Sequence, residues 1–400
     1  MVFQTKRNFF RLIFFPRWLD SWLKKEKISR GVIALYANRA IQNMAVGLLG
    51  FFLPVFLLDK FQSINLVLLF YLVAAIFYLF LAAPGVMIAS RITFRKALIL
   101  SVVAGTLFYI FLSLLGFNLW LFSALAIVAL TVNQILYWIP YHAGFAKFSD
   151  RSSRGRQVAL ITSLIIVLSA VMPFFAGLLI SYYGFTVLFA VVILIYAASV
   201  LPFFKMPNVE EYYTFTYWQT WKILFHRRDR RILLTYMADA GQDFIGLVIW
   251  PIFIFNIFQG DYQAVGIVSS AIILLSIFIS LAVGGYTDRF DKHKILKYGS
   301  ILYSLGWLVK VFAQTGFHIF IVSTYHNFTQ IMMRTPFDTL MYEKVADAGH
   351  YMDEYSVLRT MSFNLGRIVT IVVLLVLFNF FPLNYAFILA GVTVLLVNLI

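Results

Sequence analysis

The chain contains no cysteine. That excludes disulfides, thiolate metal sites and a cysteine nucleophile. Charge is also scarce: 12% of the 400 residues are Asp, Glu, Lys or Arg, against 62% hydrophobic. A water-soluble domain of this length has too little polar side chain to cover so much apolar surface, so the solvent has to be a bilayer. The in-and-out alternation over about ten residues that marks an outer-membrane strand is missing. So is the Gly-x-x-x-x-Gly-Lys-Ser/Thr loop that cradles nucleotide phosphates, which leaves an ion or solute gradient as a driving force. No cleavable leader is evident, because the stretch Phe9 to Phe15 is short, interrupted by Arg11 and followed by charge. Six scattered histidines and short loops give no His/Asp/Glu cluster at a membrane face, which a membrane-embedded enzyme would need.

What is present is a series of apolar runs, each near the roughly 20 residues that a spanning helix requires. They predict twelve spans: about 31–58, 64–89, 97–115, 118–141, 157–181 and 185–204, then 232–258, 263–286, 295–314, 317–341, 359–381 and 383–400. The last run extends to Ile400. The net charge of +15 does not point to nucleic acid, because the basic residues are spread by topology and form no free face. Lys and Arg gather in the first thirty residues and in every second connection, for example Arg91, Arg95 and Lys96, or Lys147, Arg151, Arg154 and Arg156. The intervening connections hold Lys60 alone. This asymmetry predicts an N-terminus and a C-terminus in the cytoplasm, in a plasma membrane or bacterial inner membrane.

One connection is long, about 205–231. Its Tyr212, Tyr213, Tyr217, Trp218 and Trp221 precede the basic cluster Arg227, Arg228, Arg230 and Arg231. Aromatics beside basic residues suit a segment lying on an anionic leaflet. The stretch around Trp18, Trp22, Lys24 and Lys25 suggests an amphipathic cytoplasmic segment over residues 1–30.

The chain also repeats itself. Tyr36, Arg39, Ala40, Gln42 and Asn43 recur 200 residues later as Tyr236, Asp239, Ala240, Gln242 and Asp243. Gln134, Ile135 and Pro140 recur 196 residues later as Gln330, Ile331 and Pro336. Internally repeated membrane proteins commonly place a transport pathway between their repeats. Arg39 and Asp239 are opposite in sign, so they are expected to meet across the repeat axis.

Following the eighth predicted span comes Gly284-Gly285-Tyr286-Thr287-Asp288-Arg289-Phe290-Asp291-Lys292. This resembles the loop signature of the major facilitator superfamily, with Gly284, Asp288, Arg289 and Lys292 matching and Asp291 standing for a later glycine. A weaker copy holds Ser90 in place of the aspartate, then Arg91 and Arg95. Pro173 and Gly177 resemble the family's Pro/Gly-rich fifth helix, though the glycines usual around the proline are altered.

The resemblance implies an all-α polytopic membrane protein with twelve transmembrane helices in two pseudo-symmetric six-helix bundles, 31–204 and 232–400, joined by a cytoplasmic linker, 205–231. It implies a monomeric secondary transporter of a small solute, working by alternating access and proton-coupled. Arg91, Arg95, Gly284, Asp288, Arg289 and Lys292 would form a cytoplasmic gate. The alternatives are a non-transporting solute receptor or scaffold and a lipid-modifying enzyme.

Charged and polar residues inside spans are costly and mark pathways. The candidates are Arg39, Gln42 and Asn43; Gln134, Trp138 and His142; Asp239, Gln242 and Asp243; and His326, Gln330 and Arg334. Arg39 can grip a carboxylate or phosphate with two bonds, and Asp239 or Asp243 can carry a proton. Pro140, Pro173 and Pro336 are expected to bend their helices. The histidines read first as packing residues. Lys310 and Arg367 are expected to snorkel toward the lipid surface or to pair with acids. No metal or cofactor is expected.

Overall fold

A computed structural model describes residues 29–89, 91–148, 154–207, 216–226, 230–283, 291–346 and 352–399. The N-terminal segment before residue 29, Ser90 and the motif residues Gly284, Asp288 and Arg289 lie outside the described residues. Among the described residues the chain is helical, without strands.

Helices follow the apolar runs, and a few of their breaks fall at residues that leave right-handed geometry. The first comprises α1 (Arg30–Gly50) and α2 (Leu53–Phe61), a pair bent by 43°. The bend precedes Pro54, which has no N–H to continue the ladder across the break. Gln62, in the left-handed region, ends α2. Then come α3 (Ile64–Ala89), α4 (Phe94–Ser113), α5 (Leu119–Phe148) and α6 (Arg154–Ala198). The last contains Gly184 at φ 73°, a conformation that a side chain would resist. The break falls where the fifth and sixth expected spans adjoin.

The linker contributes α7 (Tyr217–Leu224), whose first turn is closed by a reciprocal Thr216/Gln219 capping box. Beyond it α8 (Arg230–Phe244) passes through a π turn, Ile245–Ile249, into α9 (Trp250–Ile257). Gln259 and Gly260, both at positive φ, turn the chain into α10 (Tyr262–Val283). Then follow α11 (Lys292–Lys310), α12 (Gly316–Ala346), α13 (Met352–Leu377) and α14 (Ala386–Leu395). Asp291, which departs from the motif, caps α11: its Oδ1 accepts from the His293 N–H at 2.9 Å. Both α5 and α12 stay helical through Pro140 and Pro336, as does α6 through Pro173.

Among the described residues six helices are long and apolar enough to cross a membrane, or seven with the bent α1–α2 pair counted as one span. Together with the composition this makes the chain a multi-pass membrane protein. Among the described residues α11 and α12 fall short of that measure. They occupy two of the expected spans but carry Lys310, His326, Arg334 and Asp338. Their polar residues supply part of the candidate site, the rest lying on α1, α5, α8 and α13.

Before the linker, α1 packs on α6, α4 on α5, and α3 on α5. After it, α8 packs on α13, α11 on α12 and α14, and α10 on α12. Among the described residues the two broadest seams between the parts are α6 against α10 and α3 against α13. At the first seam a Cβ on Gly177 would sit 2.5 Å from the Tyr262 carbonyl oxygen, and one on Gly266 equally close to that of Pro173. The two backbones touch with no side chain between them. The Phe174 N–H, next to Pro173, donates to Ser270 Oγ across this seam at 2.9 Å. At the second seam a small apolar cluster unites Leu79 and Ala83 of α3 with Leu358 and Met361 of α13, and Leu224 of α7 closes over it. The linker helix is thus docked on both parts, with Trp221 against Phe80 at 5.6 Å.

Candidate functional site

The charged residues inside spans form three groupings. On the N-terminal side Arg39 of α1 is half-buried, and its guanidinium lies 4.8 Å from the ring centroid of Trp138 on α5. It also adjoins Tyr137 and Tyr141. Tyr137 donates to Asn38 Oδ1 at 3.0 Å, and Asn38 Nδ2 donates to the Ser199 carbonyl at 2.8 Å. These bonds fix the α1–α5 contact that carries Arg39 onto Trp138. Three other atoms of α1 are buried without a partner among the described residues: Tyr36 Oη, Gln42 Nε2 and Asn43 Nδ2. Tyr36, Arg39 and Asn43 follow one another at spacings of three and four, so they share a helix face.

On the C-terminal side Asp239 of α8 is fully buried. Arg334 of α12 donates from Nη1 to both its oxygens, at 2.7 and 2.8 Å. Gln242 Nε2 donates to Asp239 Oδ1 at 3.0 Å, and Tyr303 of α11 donates to Gln242 Oε1 at 2.9 Å. Asp338, one turn beyond Arg334, takes its Nε at 3.3 Å. Arg334 therefore sits between two carboxylates.

The third grouping lies at the α3–α13 seam. Arg367 of α13 meets Asp243 of α8 at 3.3 Å, with the Asp243 side chain half exposed. Tyr71 of α3 lies within electrostatic reach of Arg367 and against Phe244 at 5.7 Å. A half-exposed carboxylate in the middle of a span thus lies one residue from a ring contact to the other part of the chain.

The expected Arg39–Asp239 pair does not form. Asp239 takes Arg334 from its own side, and among the described residues Arg39 has an aromatic face and no carboxylate. The reason is geometric: α8 packs in the C-terminal part, where α12 reaches Asp239 from within that part. Arg367 takes the acid-paired course. Lys310 takes neither expected course, being 2% exposed and between Trp250 and Trp307.

Of the remaining candidates, Gln134 and Gln330 are half-buried, and His142 lies on α5. His326 is packed against Tyr303 and Trp307, each ring centroid 4.5 Å away. Asp338 and Tyr303 were not anticipated. Asp338 was legible as an acid four residues beyond Arg334, on the same face. Tyr303 was not, because nothing local distinguishes it from other tyrosines in apolar helices.

The family model for the Major Facilitator Superfamily matches residues 35–353. Among solved structures, the chain is similar to a D-xylose-proton symporter with a TM-score of 0.66 and 13% identity, over 92% of this chain and 95% of that one. It is similar to a bacterial metal transporter with a TM-score of 0.62 and 13% identity, over 93% of this chain and 97% of that one. At that identity the likeness speaks for the fold alone. No curated protein matches the sequence.

Proposed function

Because the chain belongs to the major facilitator superfamily, we propose that it is a secondary transporter of a small solute bearing an anionic group, coupled to protons. In this reading twelve spans form two six-helix bundles, 31–204 and 232–400, joined by the linker 205–231. Both termini face the cytoplasm of a plasma or bacterial inner membrane. The bundles rock about a site between them, and one chain suffices as the working unit. Arg91, Arg95, Gly284, Asp288, Arg289 and Lys292 serve the cytoplasmic gate.

One observation carries the solute class. Arg334 and Arg367 each hold a carboxylate, whereas Arg39 holds only aromatic and hydroxyl groups among the described residues. A guanidinium that faces no carboxylate is suited to a carboxylate or phosphate. The unpartnered Tyr36, Gln42 and Asn43 atoms beside it supply further polar contacts. An uncompensated cation in a span is costly, and an arriving anion relieves that cost. Asp239 is the proton carrier in this scheme: protonated, it no longer needs Arg334, which can then turn to Asp338 or to the solute.

The test is thermal melting of the detergent-purified protein against a panel of anionic, neutral and cationic solutes at two pH values, with Arg39→Gln alongside. A bound solute raises the melting temperature. The expected result is pH-dependent stabilisation by one anionic class, lost in the variant. Stabilisation by neutral solutes alone, or an anion that stabilises Arg39→Gln equally, overturns the reading.

A further inference from the structure

Lys310 ends α11 in an enclosure without acid. It is 2% exposed. Its Nζ lies 4.3 Å from the ring centroid of Trp250 and 4.0 Å from that of Trp307. It has neither a carboxylate nor a hydrogen-bond acceptor among the described residues. Two aromatic faces attract an ammonium, but they replace little of the water it gave up. Of the two basic side chains only lysine can occupy such a place in either charge state, because a guanidinium keeps its proton.

The groups around the enclosure are few. Trp250 and Phe253 near α9's start and Phe387 of α14 form a ring cluster, and none of them titrates. From α12 comes His326, buried, with Nδ1 unpartnered and within electrostatic reach of Lys310. From Lys310's own helix come Trp307 and Tyr303. Tyr303 continues the path inward, since its hydroxyl bonds Gln242, which bonds Asp239. The wall of the enclosure and the Asp239–Arg334 pair therefore share one string of contacts. The π turn Ile245–Ile249 lies between them on the chain, with Gly246 against Trp307; such turns often lie at functional sites.

We infer that Lys310 is a second proton-binding site, linked to the Asp239–Arg334 pair through Trp307, Tyr303 and Gln242. This rests on the proton-coupled reading above and adds a group to it. The bond made and broken is the N–H of Nζ, and the proton comes from and returns to water when the enclosure opens. A proton needs no cavity, so a closed enclosure suits it. Linkage requires that whatever changes Asp239 also changes proton binding at Lys310.

Intrinsic tryptophan emission tests this without any solute, because Trp250 and Trp307 flank the amine. The purified protein is titrated with pH beside Lys310→Met, Trp307→Phe and Asp239→Asn. Met keeps an unbranched apolar chain that packs well against rings. The expected result is an emission step in the parent that Lys310→Met lacks, that Trp307→Phe retains in altered amplitude, and whose midpoint Asp239→Asn displaces. The same step in Lys310→Met overturns the site. A midpoint unmoved by Asp239→Asn overturns the link. Should Lys310→Met fail to fold, an unchanged step in Trp307→Phe, with the same amplitude and midpoint, overturns the site alone. The solute assay fails separately: a solute bound without pH dependence defeats proton coupling and leaves the emission step in place.

Discussion

Arg39 lies on Trp138; Asp239, 200 residues further on, lies on Arg334, which is 196 residues beyond Trp138. The two contacts thus join repeat-equivalent positions on equivalent helices. In one the cation is on the earlier helix and faces a ring. In the other it is on the later helix and faces a carboxylate. The neighbouring glutamines diverge as well. Gln242 is committed to Asp239 and Tyr303, whereas Gln42 Nε2 has no partner among the described residues. The difference teaches that a duplicated scaffold keeps its contact and not its chemistry. The C-terminal contact is closed on itself, and the N-terminal one leaves donors for something else to use.

The energies should differ accordingly, and substitutions at both contacts test that. The largest effect is expected from Arg334→Met. It strands a carboxylate that is fully buried, which typically costs about 3–5 kcal/mol. Asp239→Asn should cost less, since Arg334 keeps Asp338 and is one-third exposed. The double variant should recover much of the loss in unfolding titrations. If Arg334→Met were as stable as the parent, the closed C-terminal contact would be illusory.

Next come the glutamines. Gln242→Leu breaks two buried hydrogen bonds and should cost about 1–3 kcal/mol. Gln42→Leu removes a donor that has no partner and should cost nearly nothing or stabilise the protein, while weakening any solute that uses it. Equal costs at both positions would erase the distinction between them. Below Gln242→Leu comes Trp138→Leu, which gives up a cation–π contact worth about 0.5–2 kcal/mol. Its stability effect should be modest, but it should increase the dependence of Arg39 on an added anion, read as a larger melting shift at saturating solute.

Much of the architecture was legible because helices in lipid leave a one-dimensional signal. Continuous apolar runs and basic connections placed most of the helices to within a few residues, though α5 runs on to Phe148 and α13 starts at Met352, and the family match agrees with the loop motif. The breaks were readable in part: Gly184 parts two expected spans, but the α1–α2 bend and the π turn before Trp250 were not visible. Both depend on how the chain satisfies its backbone around a proline, which composition does not report. The charged residues inside the spans were legible one by one, and the one pairing expected among them, Arg39 with Asp239, was misread. The repeat named Arg39 and Asp239 correctly as equivalents, and equivalence was mistaken for contact. Equivalent positions in two repeats each face their own repeat's interior first. Lys310 was undervalued because a lysine near a helix end ordinarily reaches the lipid surface. Only the fold shows two tryptophans closing over it.

The Gly177–Gly266 crossing has a consequence for wear and tolerance. Where side chains interdigitate, any change of angle must unlock one set of rotamers and find another, and each new fit is a separate minimum. Bare backbone against bare backbone has no teeth to disengage. In the rocking proposed above, the α6–α10 seam would act as a bearing rather than a gear, changing angle in small increments while the Phe174–Ser270 hydrogen bond keeps it from slipping along its length. A bearing of this kind has no room for one extra methyl group at its centre.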